Sequence, residues 1–135
     1  MIIKGEMAVM LGVLGLRQGD DRILDAIALV GPKMEIEEFD DGSTYYVFPV
    51  AGTDLLFEDG VLVAVIVEAQ GYPRPEALVE GVPMTATRAE VLARLGKPER
   101  TGPTFERFEA NGHYLHFEFD GGGGITKVSA LLEAV

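Results

Sequence analysis

The chain contains no cysteine. That removes disulfides, thiolate metal sites, cysteine nucleophiles and lipid attachment through an N-terminal Cys, and it fits a reducing compartment. There are two histidines, His113 and His116. Three residues apart on a strand, they point to opposite faces and cannot chelate one metal without a bulge. His113 is expected to pack beside Leu115, and His116 to sit on an open face. The only serines are Ser43, in an Asp-Asp-Gly-Ser turn, and Ser129, in the final strand; neither has the strand–turn–helix setting of a nucleophile elbow. The four glycines 121–124 precede a strand, with no Gly-Lys-Ser/Thr after them, so they read as a flexible hairpin instead of a phosphate loop. No Asp-x-Asp-x-Asp-Gly calcium loop occurs. No catalytic residue, metal or cofactor is therefore expected.

Long apolar runs are also missing. No stretch approaches the ~20 residues of a membrane span. Residues 7–16 (MAVMLGVLGL) look like a short signal-peptide core, but Glu6 precedes them and only Lys4 nearby is basic. Arg17-Gln18-Gly19 is not a small-x-small cleavage site. The expectation is a soluble, cytoplasmic protein without a membrane partner.

Basic residues are scarce and uneven. Twenty-two acids face 11 bases, for a net charge of −11. Residues 1–67 hold 12 acids and 4 bases, net −8, and residues 68–135 hold 10 and 7, net −3. Between Met34 and Pro73 there are nine acids and no Lys or Arg. Nucleic acid is a poor partner for such a surface; a basic protein is a better one, steered by an acidic docking patch. Plain solvation competes with docking as the role of these carboxylates. Catalysis by a carboxylate pair would need burial that separates their pKa values, whereas most of these acids flank glycine turns.

What is present is 47% apolar residues over 135 positions, enough for one compact unit without staples. The chain also reads as one pattern stated twice. In the clearer copy, Thr87 and Glu90 form a capping box. A helix over 88–95 buries Val91, Leu92 and Leu95; Gly96 and Pro98 stop it. A short helix is expected before it, over 76–80, with Pro75 in its first turn. Strands follow at 105–109, at 113–120 after the hairpin pair Asn111-Gly112, and at 125–132. In the looser copy, residues 7–13 line up with 76–82, and a helix capped by Asp20 or Asp21 covers 21–30 up to Gly31-Pro32. Strands follow at 34–39, 45–50, 53–58 and 61–67. The last of these is apolar throughout, which places it centrally and covered on both faces. Residues 1–4 are expected as an edge strand.

The expected class is α+β: two tandem helix-loop-helix plus antiparallel β-meander units, helices on one sheet face and the other face open. The units are residues 1–70 and 71–135, together one compact body.

Thr87-x-x-Glu90-Val91-x-x-x-Leu95-Gly96-x-Pro98, followed by an aromatic meander, resembles the unit of β-lactamase inhibitory protein and of SmpA/OmlA-type outer-membrane assembly lipoproteins. Its duplication is closer to the inhibitory protein, and the resemblance spans nearly the whole chain. The chain departs from both: without cysteine it lacks the lipid anchor of one and the disulfides of the other. A cytoplasmic version of the fold is similar to bacterial immunity proteins. The resemblance implies protein binding through the open sheet face.

The leading expectation is a non-catalytic inhibitor: an immunity protein that binds and neutralises a cognate toxin or effector with a basic surface. Asp54 and Glu58, with Glu37, Asp40 and Asp41, would supply charge. Tyr114, His116 and Glu118, with Tyr46, would supply the anchor, tyrosine being favoured at interface hot spots. Two rivals stand beside it: a cone-type enzyme or ligand carrier with a carboxylate-lined pocket, and a structural adaptor of envelope assembly.

Overall fold

The computed structural model describes residues 1–134. Eight strands form one antiparallel sheet: β1 (Glu35–Glu38), β2 (Ser43–Phe48), β3 (Thr53–Glu58), β4 (Val61–Glu68), β5 (Arg100–Thr101), β6 (Phe105–Ala110), β7 (His113–Phe119) and β8 (Ile125–Leu131). Their order across the sheet is β1-β2-β3-β4-β8-β7-β6-β5. The chain thus lays down β1 to β4 as a meander and then crosses over the sheet. It returns with β8 in the centre, where Val65 of β4 lies opposite Ala130 of β8.

The hairpins form where the sequence supplies residues that tolerate positive φ. Asp59-Gly60 adopts φ of 50° and 80°, and Asn111-Gly112 adopts 52° and 82°. This left-handed pair matches the twist of the flanking strands. At the glycine run, Asp120 accepts hydrogen bonds from the amides of Gly122 (2.9 Å) and Gly124 (3.0 Å), so this turn is tied by a side chain.

One sheet face carries the core. Phe48, Leu55, Phe57, Leu62, Val65, Phe108, Leu115, Phe117, Val128 and Ala130 alternate onto it and are buried. Three short helices cover it: α1 (Glu6–Val13), α2 (Leu24–Val30, entered through a 3-10 turn at Asp21–Ile23) and α3 (Arg88–Leu95). Met7, Met10 and Leu11 of α1, Ala26 and Val30 of α2, and Val91 of α3 are buried against the sheet, as is Ile23 of the 3-10 turn. Leu92 and Leu95 pack only partly, and Leu24 is exposed.

A buried ion pair fastens α3 to the sheet. Glu106 of β6 is 2% exposed. Its Oε2 accepts from Arg88 Nε at 2.8 Å and its Oε1 accepts from Thr101 Oγ1 at 2.6 Å. Arg88 also donates to the carbonyls of Gly102, Pro103 and Phe105, so one side chain holds the start of α3 and the loop between β5 and β6.

The fold corrects the expectation of two tandem helix-loop-helix plus meander units. The molecule is a single small α+β domain built on one sheet. The helix expected over 76–80 is a series of turns. Its backbone is engaged elsewhere: Ala77 O and Leu78 O accept from the amides of Glu6 and Met7, and the Glu80 amide donates to Lys4 O. Those bonds satisfy the start of α1, so the segment serves as a cap for another helix instead of coiling on itself. Gly5 permits the approach. A Cβ there would lie 2.7 Å from Leu78 O, and its φ is +104°. Residues 1–4 form no strand, although Ile3 N–H donates to Asn111 Oδ1 at 2.8 Å. β4 is central, yet covered on one face only.

Candidate interaction face

The second face of the sheet bears no helix, and the strand register defines what it presents. One row across the strands runs Glu37, Tyr45, Leu56, Ala64, Leu131, Tyr114, Glu109. The next runs Glu35, Val47, Asp54, Ile66, Ser129, His116, Arg107. A third, shorter row is Glu68, Lys127, Glu118, Phe105. Residues opposite one another on a sheet face lie ~5 Å apart, so these rows are contiguous surfaces.

The centre of the face is apolar. Tyr45, Val47, Leu56, Ile66, Leu131 and Tyr114 are half-buried, and none belongs to the core cluster on the other side. Phe39 extends the patch, its ring edge-on to Tyr45 with centroids 5.7 Å apart. Carboxylates frame it: Glu35 and Glu37 at one edge, Glu58, Glu68, Glu109 and Glu118 around the rest, with Asp54 inside. Lys127 is drawn to Glu68 at 3.8 Å. Arg107 is buried; its Nε donates to Glu99 at 2.8 Å and its guanidinium lies 5.8 Å from the Tyr114 ring centre.

Asp54 carries the most unusual charge here. Burial pushes its carboxyl above the ordinary Asp value, with the negative fields of Glu37 and Glu68 adding and Lys127 opposing. A carboxylate whose ionised form is disfavoured in the folded protein opposes folding at neutral pH. A cation arriving over this face relieves that repulsion.

At the far end, His116 stacks on Phe105 with centroids 4.8 Å apart, and its Nδ1 is buried without a hydrogen-bond partner. Burial holds His116 below its ordinary value of 6.5, opposed by Glu118 and assisted by Arg107. The folded protein thus favours neutral His116, and the unfolded chain takes up the proton first on acidification. Its stability contribution is complete above about pH 6.5 and declines as pH falls below it. His116→Gln should flatten the slope of stability against pH below about pH 6.5, read from urea unfolding at several pH values; an unchanged slope would assign the dependence elsewhere.

The expected site residues separate into three groups. Glu37, Asp54, Glu58, Tyr114, His116 and Glu118 lie on the open face. Asp40 and Asp41 lie in the β1–β2 turn, where Asp41 accepts from the Ser43 amide and hydroxyl. Tyr46 lies on the helix side, its ring 4.7 Å from Phe57 and its hydroxyl accepting from Gln18. Tyr45, Leu56, Ile66 and Leu131 were not singled out from the sequence. Strand alternation in β3 and β8 marks them, but β4 obscures it, because a register shift between Leu56 and Phe57 interrupts its alternation.

Five cavities of 190 to 460 Å³ lie on the described surface, and these five are not lined by Asp54 or Glu118. Among the described residues no cluster of three or more His, Asp or Glu has the geometry to hold a metal ion, and no helix is long and apolar enough to cross a membrane.

No protein-family model and no curated protein matches the chain. Among the solved structures that resemble it are two of bacterial proteins. One is described as an extracellular protein containing a SCP domain from Bacillus anthracis strain Ames, with a TM-score of 0.62 at 15% identity over 90% of this chain and 44% of that one. The other is a cysteine-rich secretory protein from Staphylococcus aureus Mu50, with a TM-score of 0.50 at 14% identity over 90% of this chain and 45% of that one. This chain therefore spans less than half the length of either. Extracellular in one description and secretory in the other, they point away from the cytoplasm, and the cytoplasmic placement expected from the missing cysteines and the flanks of residues 7–16 is withdrawn. At these identities the likeness is one of fold: a single α+β domain similar to part of a larger, SCP-domain-containing protein.

Proposed function

We propose that this domain is a non-catalytic recognition module that holds a basic protein partner against the open face of its sheet. The observation that carries the reading is the half-buried apolar patch of Tyr45, Leu56, Ile66, Leu131 and Tyr114 inside a ring of carboxylates. An apolar centre with a charged rim is how protein interfaces are composed. The rim favours a cationic partner and disfavours an acidic one. Neutralising a cognate toxin or effector, implied by the resemblance to inhibitory and immunity proteins, is the sharper form of this reading. It requires that the partner's active surface be what the face covers, over an area of ~1,600 Å².

The test begins with affinity capture by the tagged domain from its source cells, with mass spectrometry of the retained protein. A single near-stoichiometric basic partner is expected. Asp54→Lys with Glu58→Lys should then slow association about tenfold or more and flatten its dependence on salt, because the charge of the face steers encounter. An association rate and salt dependence that survive both reversals would sink the steering idea. Coexpression with the partner reads the inhibitory form directly: rescue of growth supports it, and continued toxicity removes it.

A further inference from the structure

β1 is the outermost strand on the acidic side of the sheet and pairs with β2 alone. The Phe39 amide donates to Ser43 O at 2.9 Å. Backbone groups alternate along a strand, so Glu35, Glu37 and Phe39 direct theirs toward β2, whereas Ile36 and Glu38 direct theirs outward. All residues from 32 to 42 are exposed, so nothing among the described residues covers this edge. Ile36 and Phe39 are each 52% exposed.

The two sides of that edge differ in chemistry. On the open-face side stand Glu35 and Glu37. On the helix side stand Ile36, opposite Tyr46, and Glu38, opposite Thr44, so the apolar position there is Ile36. An unpaired edge with free amides and carbonyls is a template for another strand. The charges select which one. A second copy of β1 would set Glu35, Glu37 and Glu38 of both copies against each other, and like charges directly opposite are destabilising.

We propose that β1 is a strand-addition site, and that its ligand is an extended protein segment alternating basic and apolar residues. Lysine or arginine side chains of that segment lie beside Glu35 and Glu37. Its apolar side chains lie beside Ile36. Main-chain bonds to Ile36 and Glu38 supply register, and the alternation supplies selectivity. The site is separate from the apolar centre of the open face and does not depend on it.

The probe is a synthetic nine-residue peptide alternating Lys and Val, compared with its Glu–Val counterpart. Binding is read by calorimetry and by hydrogen exchange followed by NMR. The Lys–Val peptide should bind and slow exchange of the Ile36 and Glu38 amides at least tenfold, while the Glu–Val peptide should not bind. Ile36→Pro removes only an outward-pointing donor, which an edge strand tolerates; it should weaken the peptide tenfold or more and leave the melting temperature near that of the parent. Glu35→Lys with Glu37→Lys is the second variant and should exchange the preference toward Glu–Val. Leu131→Glu, on the open face, should leave peptide binding unchanged, which separates this site from the proposed docking face. Several results overturn the proposal: equal binding by the Ile36→Pro variant, protection confined to Tyr45, Leu56 and Leu131, no binding at all because the acids only guard the edge, or a β1-mediated dimer in sedimentation.

Discussion

Glu106→Ala should destabilise the domain by about 3–5 kcal/mol, because removing one partner of a buried ion pair leaves the other uncompensated. Glu106 is almost wholly inaccessible, and both its oxygens are committed, one to Arg88 and one to Thr101. Arg88 is partly exposed and can recruit water when its partner is lost, so the lower end of that range is expected. Against a total stability of roughly 5–15 kcal/mol this is a large fraction, and the melting temperature should fall by roughly 10 °C or more. The loss should be local first. The carbonyls of Gly102, Pro103 and Phe105 depend on the same guanidinium, so exchange of amides in residues 99–106 should accelerate before the rest of the sheet. The double replacement Arg88→Met with Glu106→Leu should recover most of the stability, since a packed apolar pair of similar volume is often as stable as the ions. Thermal unfolding of the three variants checks this; a Glu106→Ala protein that melts within a degree or two of the parent would show that the pair is not desolvated.

Leu56→Asp or Leu131→Asp should reduce partner affinity by roughly 30–1,000-fold, equivalent to the ~2–4 kcal/mol of a central hot-spot residue. These side chains flank Ala64 in the middle of the row from Glu37 to Glu109 and contribute nothing to the opposite core. The stability cost should therefore be small, within about 1 kcal/mol. The added charge also extends an acidic field, so the loss should appear in dissociation more than in association, the reverse of the Asp54 and Glu58 substitutions. Surface plasmon resonance on the captured partner separates the two rates. Full affinity in both variants would move the docking surface off this face.

Features set by near neighbours in sequence were legible in it. The Thr87–Glu90 capping box forms with both bonds in place, and α3 runs over the residues its pattern marks. Asn111-Gly112 makes its hairpin because the conformation lies within two residues. Asp20 caps the 3-10 turn that leads into α2. Features decided by distant partners were not. Residues 76–80 follow Pro75 and carry a helical pattern, yet the carbonyls of Ala77 and Leu78 are taken by α1, about seventy residues earlier in the chain. The open face follows from alternation in β2, β3, β7 and β8, but its apolar centre was hidden. An all-apolar strand such as β4 reads as doubly covered, and only the sheet order shows that one of its faces is left bare. Tyr45 and Tyr46 are adjacent and chemically alike; which of them faces the open side depends on a strand register that turn spacing alone does not fix.

The central seam between β4 and β8 has a consequence for how the domain comes into being. Val65 waits for Ala130, and until β8 arrives both β4 and β7 show bare apolar edges. Strand pairs this far apart in the chain close slowly, and exposed edges invite wrong partners meanwhile. Closure of the sheet is therefore expected to wait on the pairing of β8 with both β4 and β7. The last strand is thus the keystone of the sheet, joining its two halves.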